Sequence, residues 1–137
     1  MNAIVTGYGG IAYEAALSLA KLGYDVILAG RDPAKGEAAA ARLRRTALAP
    51  ADIVFEPLDL FEPASIRGFA KRIADTHDHI DIVMCVAGIM MPSGLSLSSQ
   101  GVERQFAVNY LGHFELVGRL LLLIRKSESP RVVTVSS

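Results

Sequence analysis

The sequence predicts a doubly wound α/β fold, in which helices cover both faces of a parallel β-sheet. Short bursts of Val and Ile alternate with amphipathic stretches rich in Ala, Leu and Lys, which is typical of repeated βαβ units. Hydrophobic residues make up 51% of the chain and the mean hydropathy is +0.34, as expected for strands buried on both faces. With 137 residues, we expect one domain over 1–137.

Five strands and four main helices follow from this pattern. Gly, Pro or polar residues bound each strand, and Gly23 stops the first helix. Right-handed crossovers favour the strand order 3-2-1-4-5, with a ligand beyond the carboxyl ends of the strands. The predicted strands are residues 3–6, 25–29, 52–58, 81–86 and 131–136, and the predicted helices are residues 10–22, 33–46, 63–76 and 100–126.

Composition argues against several classes of partner. Fourteen basic residues balance fourteen acidic ones, so no net field attracts nucleic acid or an anionic membrane. Cys85 is the single cysteine, which excludes an internal disulfide or a multi-cysteine metal site and suits the cytoplasm. The start does not resemble a signal peptide, and the longest apolar run, residues 120–124, is too short to cross a bilayer. We therefore expect no metal, nucleic acid or membrane span.

The first strand leads directly into a glycine-rich loop, Gly7-Tyr8-Gly9-Gly10-Ile11-Ala12, which fits the pattern Gly-x-Gly-x-x-Gly/Ala. Glycines let the backbone approach a pyrophosphate, whose charge meets free N–H groups at the helix start. A glycine-rich turn also serves plain chain reversal. Its position in a βαβ unit favours a Rossmann-type nucleotide site, with Gly7, Tyr8, Gly9, Gly10 and Ile11 as cofactor-binding residues.

The end of the second strand bears on the choice of cofactor. An acidic residue there would hold the ribose 2′-hydroxyl of NAD, whereas an arginine accommodates the 2′-phosphate of NADP. This strand ends in Gly30-Arg31, so Arg31 favours NADP(H), with NAD(H) as the alternative. In the other interpretation, Arg31 is a surface residue that pairs with Asp32.

Several segments together resemble one enzyme family. Thr6-Gly7, Leu58-Asp59-Leu60, Val86-Ala87-Gly88, Asn109 and residues 133–137 fall in the order and spacing of short-chain dehydrogenases/reductases. The stretches 29–38 and 105–114 are most similar to the retinol-dehydrogenase-like branch, which tends to prefer NADP(H). The resemblance covers the whole chain and matches the N-terminal half of such enzymes.

The resemblance implies specific roles. Asp59 would hydrogen-bond the adenine amino group, and Leu60 would follow it along the adenine edge. Ala87 and Gly88 would lie against the adenine side of the cofactor. The two catalytic candidates are Asn109, which would hold a water of the proton relay, and Ser137, which would hydrogen-bond the substrate carbonyl or hydroxyl.

Without the family, some of these residues have simpler interpretations. Asp59 could be a turn residue, and Asn109 could kink its own helix by competing for backbone hydrogen bonds. His113 is more readily a packed structural histidine than a base, since no carboxylate or cysteine is placed to orient it. Cys85 reads as an inert core residue.

The chain departs from the family pattern in three places. The glycine loop is one residue shorter than Thr-Gly-x-x-x-Gly-x-Gly and ends in Ala12, with Tyr8 where a small residue is common. Val86 replaces the asparagine of the Asn-Ala-Gly segment. The Tyr-x-x-x-Lys motif, in which lysine lowers the tyrosine pKa for proton transfer, does not occur in the 137 residues.

The sequence therefore predicts an oxidoreductase that transfers hydride between NADP(H) and a small-molecule carbonyl or alcohol, in a truncated form that is inactive alone. A non-catalytic NADP(H)-binding regulatory module and an inactive fragment are the alternatives. A methyltransferase fits poorly, because it has no use for Arg31 or for Ala87-Gly88.

The fourth helix resembles the one through which family members dimerise, and the fifth strand offers an apolar edge, so a homo-oligomer is expected. The helix residues assigned to that interface are Leu116, Leu120, Leu121 and Leu123.

Overall fold

The computed structural model describes residues 1–48, 50–90 and 92–136, and it contains a five-stranded sheet in the order β3-β2-β1-β4-β5. Every pair of neighbouring strands is parallel. The predicted fold class and strand order are thus confirmed. The strands are β1 Asn2–Thr6, β2 Asp25–Gly30, β3 Ile53–Pro57, β4 Ile82–Cys85 and β5 Arg131–Thr134.

Four helices cover the sheet, two on each face. Successive side chains of a strand point to opposite faces, so Ala3 and Val5 of β1 lie in one core and Ile4 lies in the other. The first core is formed with α1 and α2, and the second with α3 and α4. The helices are α1 Gly10–Lys21, α2 Pro33–Ala47, α3 Pro63–Thr76 and α4 Arg104–Ile124.

The N-termini of α1 and α2 are capped differently. Asp32 caps α2, because its carboxylate accepts the Lys35 N–H at 3.1 Å. Gly9 precedes α1 and provides no capping side chain. The N–H groups of Gly10 and Ile11, the first two residues of α1, therefore lack an acceptor among the described residues, whereas the Ala12 N–H donates to Gly9 O at 3.1 Å.

The fourth helix begins four residues later than predicted. Gly101 has a φ of +75°, which places it in a turn, and Glu103 caps the helix by accepting the N–H groups of Gln105 and Phe106. Residues Ala107–Leu111 then form one π-helical turn within α4, a feature that often marks a functional site.

The fifth strand corrects the expectation that all strands are buried on both faces. All four residues of β5 are exposed, because the strand lies at the edge of the sheet and pairs within the described ranges with β4 alone. At the other edge, Val54 of β3 is also exposed. Apolar composition therefore overstated the burial of the edge strands.

Of the four residues predicted to form an oligomer interface on α4, only Leu121 is exposed. Leu116, Leu120 and Leu123 are buried in the protein's own core, since a helical period of 3.6 residues places them on one inward face. The exposed apolar face carries instead Phe106, Tyr110 and Phe114, whose rings stack in succession at 5.2 and 6.4 Å, together with Leu121 and Leu122. Oligomerisation remains a prediction.

Helix α4 is 21 residues long, and an 18-residue window within it has a mean hydropathy of 1.3. By length and composition alone, such a helix could cross a membrane. The core helix of a soluble protein passes the same test, and Leu116 and Leu120 of α4 are fully buried against the rest of the fold. The expectation that the chain has no membrane span therefore stays a prediction.

A close backbone contact holds α4 against the segment after β3. A Cβ atom on Gly112 would overlap the carbonyl oxygen of Leu60 and would come within 2.9 Å of the carbonyl oxygen of Ala107. Both obstacles are backbone atoms, so a side-chain movement cannot relieve them. Glycine at position 112 therefore sets the distance between α4 and Leu60.

We predict that Gly112→Ala lowers the free energy of unfolding by about 2 kcal/mol, as overpacking does in cores. Gly118→Ala on the same helix is the matched control, because nothing lies within 4 Å of a Cβ there. Alanine's higher helix propensity should make that variant equally or slightly more stable, by up to about 1 kcal/mol. Urea unfolding followed by circular dichroism checks both, and a Gly112→Ala protein as stable as Gly118→Ala would contradict the close contact.

Candidate functional site

A cleft of about 440 Å³ opens at the carboxyl ends of the strands, where ligands of doubly wound sheets bind. It brings together every cofactor-binding residue that the sequence predicted except Gly10. Its lining consists of Gly7, Tyr8, Gly9, Ile11, Ala12, Gly30, Arg31, Leu58, Asp59, Leu60, Val86, Ala87, Gly88, Ile89, Arg104, Val108 and Val135.

The glycine loop forms one end of the cleft. Gly7 and Gly10 have φ values of +94° and +51°, a region that favours glycine. The Gly7 N–H donates to Ala29 O at 2.7 Å and so anchors the loop to β2. The shortened loop still leads straight into α1, whose first turn contains no acidic residue. An uncapped helix start of this kind attracts anions.

Tyr8 is fixed as a side wall of the cleft. A Cβ atom on Gly30 would overlap the Tyr8 ring, and one on Gly36 would overlap the ring of Phe55. The two aromatic rings meet edge to face, with centroids 6.2 Å apart. Gly30 and Gly36 thus leave space for the rings of Tyr8 and Phe55. Tyr8, the large residue of the shortened loop, therefore fits beside Arg31. Sequence reasoning noted Tyr8 but missed Phe55 and Gly36.

Arg31 follows β2 and is exposed along the cleft. The alternative in which Asp32 pairs with Arg31 is not observed, because Asp32 caps α2 and lies 3.8 Å from the Lys35 Nζ. Within the described part of the chain, Arg31 has no ion-pair partner. The guanidinium is therefore available to a ligand.

Asp59 lies at the opposite wall and also shapes the turn before α3. Its Oδ1 accepts the N–H of Phe61 at 2.9 Å, and its own N–H donates to Ser65 Oγ at 2.9 Å. The interpretation of Asp59 as a turn residue is thus correct, and the same residue lines the cleft. Leu60, the next residue, is buried and lines it too.

The hydroxyl of Thr6 organises the segment that follows β4. Thr6 is completely buried, and its Oγ1 accepts the N–H groups of Val86 at 2.9 Å and Ala87 at 3.1 Å. His113 Nε2 lies 2.8 Å from the same oxygen. This segment, in which Val86 replaces the family's asparagine, is therefore held through its backbone. In the sequence, Thr6 stands out only as part of the Thr6-Gly7 motif, which does not indicate this role.

The hydrogen bonds of Thr6 determine the tautomer of His113. A hydroxyl has one donor and two acceptor lone pairs, and Val86 and Ala87 occupy both lone pairs. The Thr6 proton then points to His113 Nε2 rather than to Met84 O, which lies farther away at 3.3 Å. The ring proton of His113 is consequently on Nδ1, 3.4 Å from the carbonyl oxygen of Asn109. Burial lowers the pKa of His113 despite the opposing contribution of that bond, which agrees with its interpretation as a packed structural histidine.

Asn109 lies in the π turn of α4 and bridges to the segment after β4. Its Oδ1 accepts the Ile89 N–H and its Nδ2 donates to Ile89 O, both at 2.8 Å. The suggestion that Asn109 kinks its helix by competing for its own backbone is therefore wrong. Gly88 allows the close approach, since a Cβ there would lie 3.3 Å from Asn109 Oδ1. The other catalytic candidate, Ser137, lies outside the described residues.

Two further predictions concern Cys85 and metal binding. Cys85 is buried, and burial raises the pKa of its thiol to about 11, so the thiol is unreactive at neutral pH. Among the residues that the structure describes, no group of three or more His, Cys, Asp or Glu side chains could hold a metal ion.

Arg104 is a cleft residue that the sequence analysis missed. It begins α4, is half-buried, and places its guanidinium carbon 5.1 Å from the centre of the Phe61 ring. Its only signal in the sequence is its position on the helix that carries Asn109. Val108, one residue before Asn109, also lines the cleft.

The Thr6 hydroxyl can be tested with an isosteric change. We predict that Thr6→Val lowers the free energy of unfolding by about 2 to 4 kcal/mol, because two backbone N–H groups and His113 Nε2 lose their partner in a buried position. Thr6→Ser retains the hydroxyl and should recover most of this loss. Urea unfolding measures both variants. If Thr6→Val were no less stable than Thr6→Ser, the hydroxyl would have no organising role.

The state of His113 predicts how stability depends on pH. Its pKa in the folded chain is below its ordinary value of 6.5, so its contribution to stability is complete above about pH 6.5 and is lost as the pH falls through the folded pKa. We expect the free energy of unfolding of the wild type to fall more steeply from pH 7.5 to 5 than that of His113→Gln. Carboxylates titrate in both proteins, so the difference between the two slopes isolates His113, and parallel slopes would contradict the assignment.

Comparison with known proteins places this geometry in a family. A family model of short chain dehydrogenases matches residues 1–137. Retinol dehydrogenase 13 of Mus musculus is 42% identical over 135 residues, which cover 98% of this chain and 40% of that protein. Polyprenol dehydrogenase of Homo sapiens is 37% identical over 140 residues, with 98% and 42% covered. The chain thus spans about two fifths of the length of these curated relatives.

A solved structure shows the same fold at similar identity. A protein from Escherichia coli CFT073, assigned as a short chain dehydrogenase and crystallised with NADPH, superposes with a TM-score of 0.82 at 30% identity. The match covers 99% of this chain and 58% of that chain. Since the family model extends over all 137 residues, this chain belongs to the short-chain dehydrogenase/reductase family of oxidoreductases, in which retinol dehydrogenases are among its relatives.

Proposed function

We propose that these residues bind NADP(H) and form the cofactor-binding part of an oxidoreductase acting on a small-molecule alcohol or carbonyl. One observation carries the proposal: an uncapped helix start and an arginine without an ion-pair partner, within the described residues, line the same cleft at the carboxyl ends of the strands. A pyrophosphate with a nearby 2′-phosphate matches this pair of positive groups. The crystallisation of the Escherichia coli relative with NADPH supports the choice of cofactor.

The preference for NADP(H) over NAD(H) rests on Arg31. A carboxylate at the end of β2 would accept hydrogen bonds from the ribose hydroxyls of NAD and would repel a phosphate. Here the nearest carboxylate, Asp32, is committed to the start of α2. Arg31 can therefore hold the 2′-phosphate through charge-assisted hydrogen bonds.

The adenine would lie between Leu60 on one wall and the segment Ala87 to Gly88 on the other. All three residues line the cleft, and the backbone of the second wall is fixed by Thr6. Asp59 would accept a hydrogen bond from the adenine amino group. When bound, the nicotinamide ring would supply or receive the hydride.

In this proposal, Asn109 positions the segment after β4. Its second amide proton would also donate a hydrogen bond to a water of the proton relay. Its Nδ2 has two protons, one of which goes to Ile89 O, so the other is available to a water. Ser137 would polarise the substrate carbonyl, as the resemblance implies. Retinol and polyprenol, named in two relatives, are both alcohols, which supports an alcohol or its carbonyl product as the substrate class.

A second candidate is a cofactor-binding module without catalysis. None of Tyr8, Tyr13, Tyr24 and Tyr110 is followed four residues later by lysine, so these residues contain no tyrosine placed to act as the proton donor with a lysine beside it. We propose that the 137-residue chain binds the cofactor but does not turn over substrate on its own.

We predict that the chain binds NADPH and that Arg31→Ala weakens this binding by about tenfold or more, the value of a hydrogen bond to a charged group. Binding of NADH should change by less than about threefold, because NADH lacks the phosphate. Arg45→Ala, an exposed arginine of α2 that does not line the cleft, is the control and should bind both like the wild type. Isothermal titration calorimetry measures all three proteins. Failure of the wild type to bind either nucleotide would refute the function, and equal losses for both would refute the role of Arg31.

A further inference from the structure

Phe61 contacts both Arg104 and Asp59. The Arg104 guanidinium lies over the ring of Phe61 at 5.1 Å, and the backbone N–H of Phe61 donates to Asp59 Oδ1 at 2.9 Å. Both residues line the cleft. The wall assigned to the adenine therefore presents an acceptor and a cationic donor.

No acidic side chain neutralises Arg104 within the described ranges. Two other arginines have such partners, since Arg72 meets Glu56 at 3.0 Å and Arg119 meets Glu115 at 2.8 Å. The acid next to Arg104, Glu103, accepts two backbone N–H groups at the start of α4. A half-buried guanidinium without an acidic partner is stabilised by any ligand group that accepts a hydrogen bond from it.

The other polar groups of the cleft already match other parts of the cofactor. The start of α1 faces the pyrophosphate, Arg31 the 2′-phosphate, and Asp59 the amino group of the adenine. Beside that amino group the base has two ring acceptors, N1 and N7. The N–H of Leu60, next to Asp59, has no acceptor among the described residues and suits one of them. Arg31 and Arg104 are the arginines that line the cleft, and Arg104, which is not assigned to a phosphate, suits the remaining acceptor.

We propose that Arg104 recognises the base by donating a hydrogen bond to N7 of the adenine, with the Arg104 guanidinium packed against the ring of Phe61. Asp59 accepting from the amino group and Arg104 donating to N7 match the donor and acceptor that adenine presents side by side. The proposal rests on the proposed binding of NADP(H) and assigns one specificity residue within it.

The test is a titration of the 137-residue chain and its variants with NADPH, NADH and the 7-deazaadenine analogue of NADPH, in which a C–H replaces N7. We expect Arg104→Met to weaken NADPH and NADH by the same factor of about ten, because both carry adenine. The wild type should bind the 7-deaza analogue about tenfold more weakly than NADPH, and Arg104→Met should weaken the analogue no further. Arg104→Lys, which keeps a donor, should recover part of the affinity for NADPH.

Arg119→Met is the matched control, because Arg119 is on the same helix and does not line the cleft. It should bind all three ligands like the wild type. An equal loss for NADPH and its 7-deaza analogue in Arg104→Met would overturn the contact with N7. If NADH binding were unchanged in the same variant, that loss would indicate a contact with the 2′-phosphate instead. If the wild type bound neither NADPH nor NADH, the proposed function itself would fail, and the role of Arg104 with it.

Discussion

The arrangement of the cleft depends on the hydroxyl of Thr6. Beyond the last rung of a parallel ladder, the N–H groups of the next residues have no strand to pair with, and buried N–H groups need an acceptor. Thr6 Oγ1 accepts hydrogen bonds from the N–H groups of Val86 and Ala87, and its own O–H donates one to His113 Nε2. One buried oxygen therefore joins β1, the segment after β4 and α4, and it fixes the backbone of a cleft wall without the asparagine that is usual in the family.

Helix α4 extends this constraint to the other wall. Asn109 binds both backbone groups of Ile89, and Gly112 lets the helix rest against the carbonyl of Leu60. Both walls of the cleft are therefore positioned relative to one helix, through Asn109 within its π turn and Gly112 directly after it. A shift of α4 would therefore change the width of the cleft, whose lining includes Arg104 and Val108 of the same helix.

The sequence predicted what depends on local pattern. Bursts of Val and Ile identified the strands, and the glycine loop located the ligand edge of the sheet. The contact of Thr6 with His113 could not be foreseen, because 107 residues separate them and neither residue type is diagnostic. The assignment of Leu116 to an oligomer interface failed for a related reason: periodicity identifies an apolar face of a helix but not the surface that covers it. Arg104 belongs to no motif, so only its packing on Phe61 revealed it.

The positive charge of the cleft follows from the hydrogen bonds that the neighbouring acidic residues make. Each cleft arginine has an acid beside it in the chain, Asp32 after Arg31 and Glu103 before Arg104. Both acids cap helices, and the backbone N–H groups of Gln105 and Phe106 lower the pKa of Glu103, so it stays ionised in that role. A carboxylate satisfied by a helix start is poorly oriented to form an ion pair with its neighbour. The caps that define α2 and α4 therefore also leave two guanidinium groups without an ion-pair partner among the described residues, and these give the cleft a positive character that suits the proposed dinucleotide.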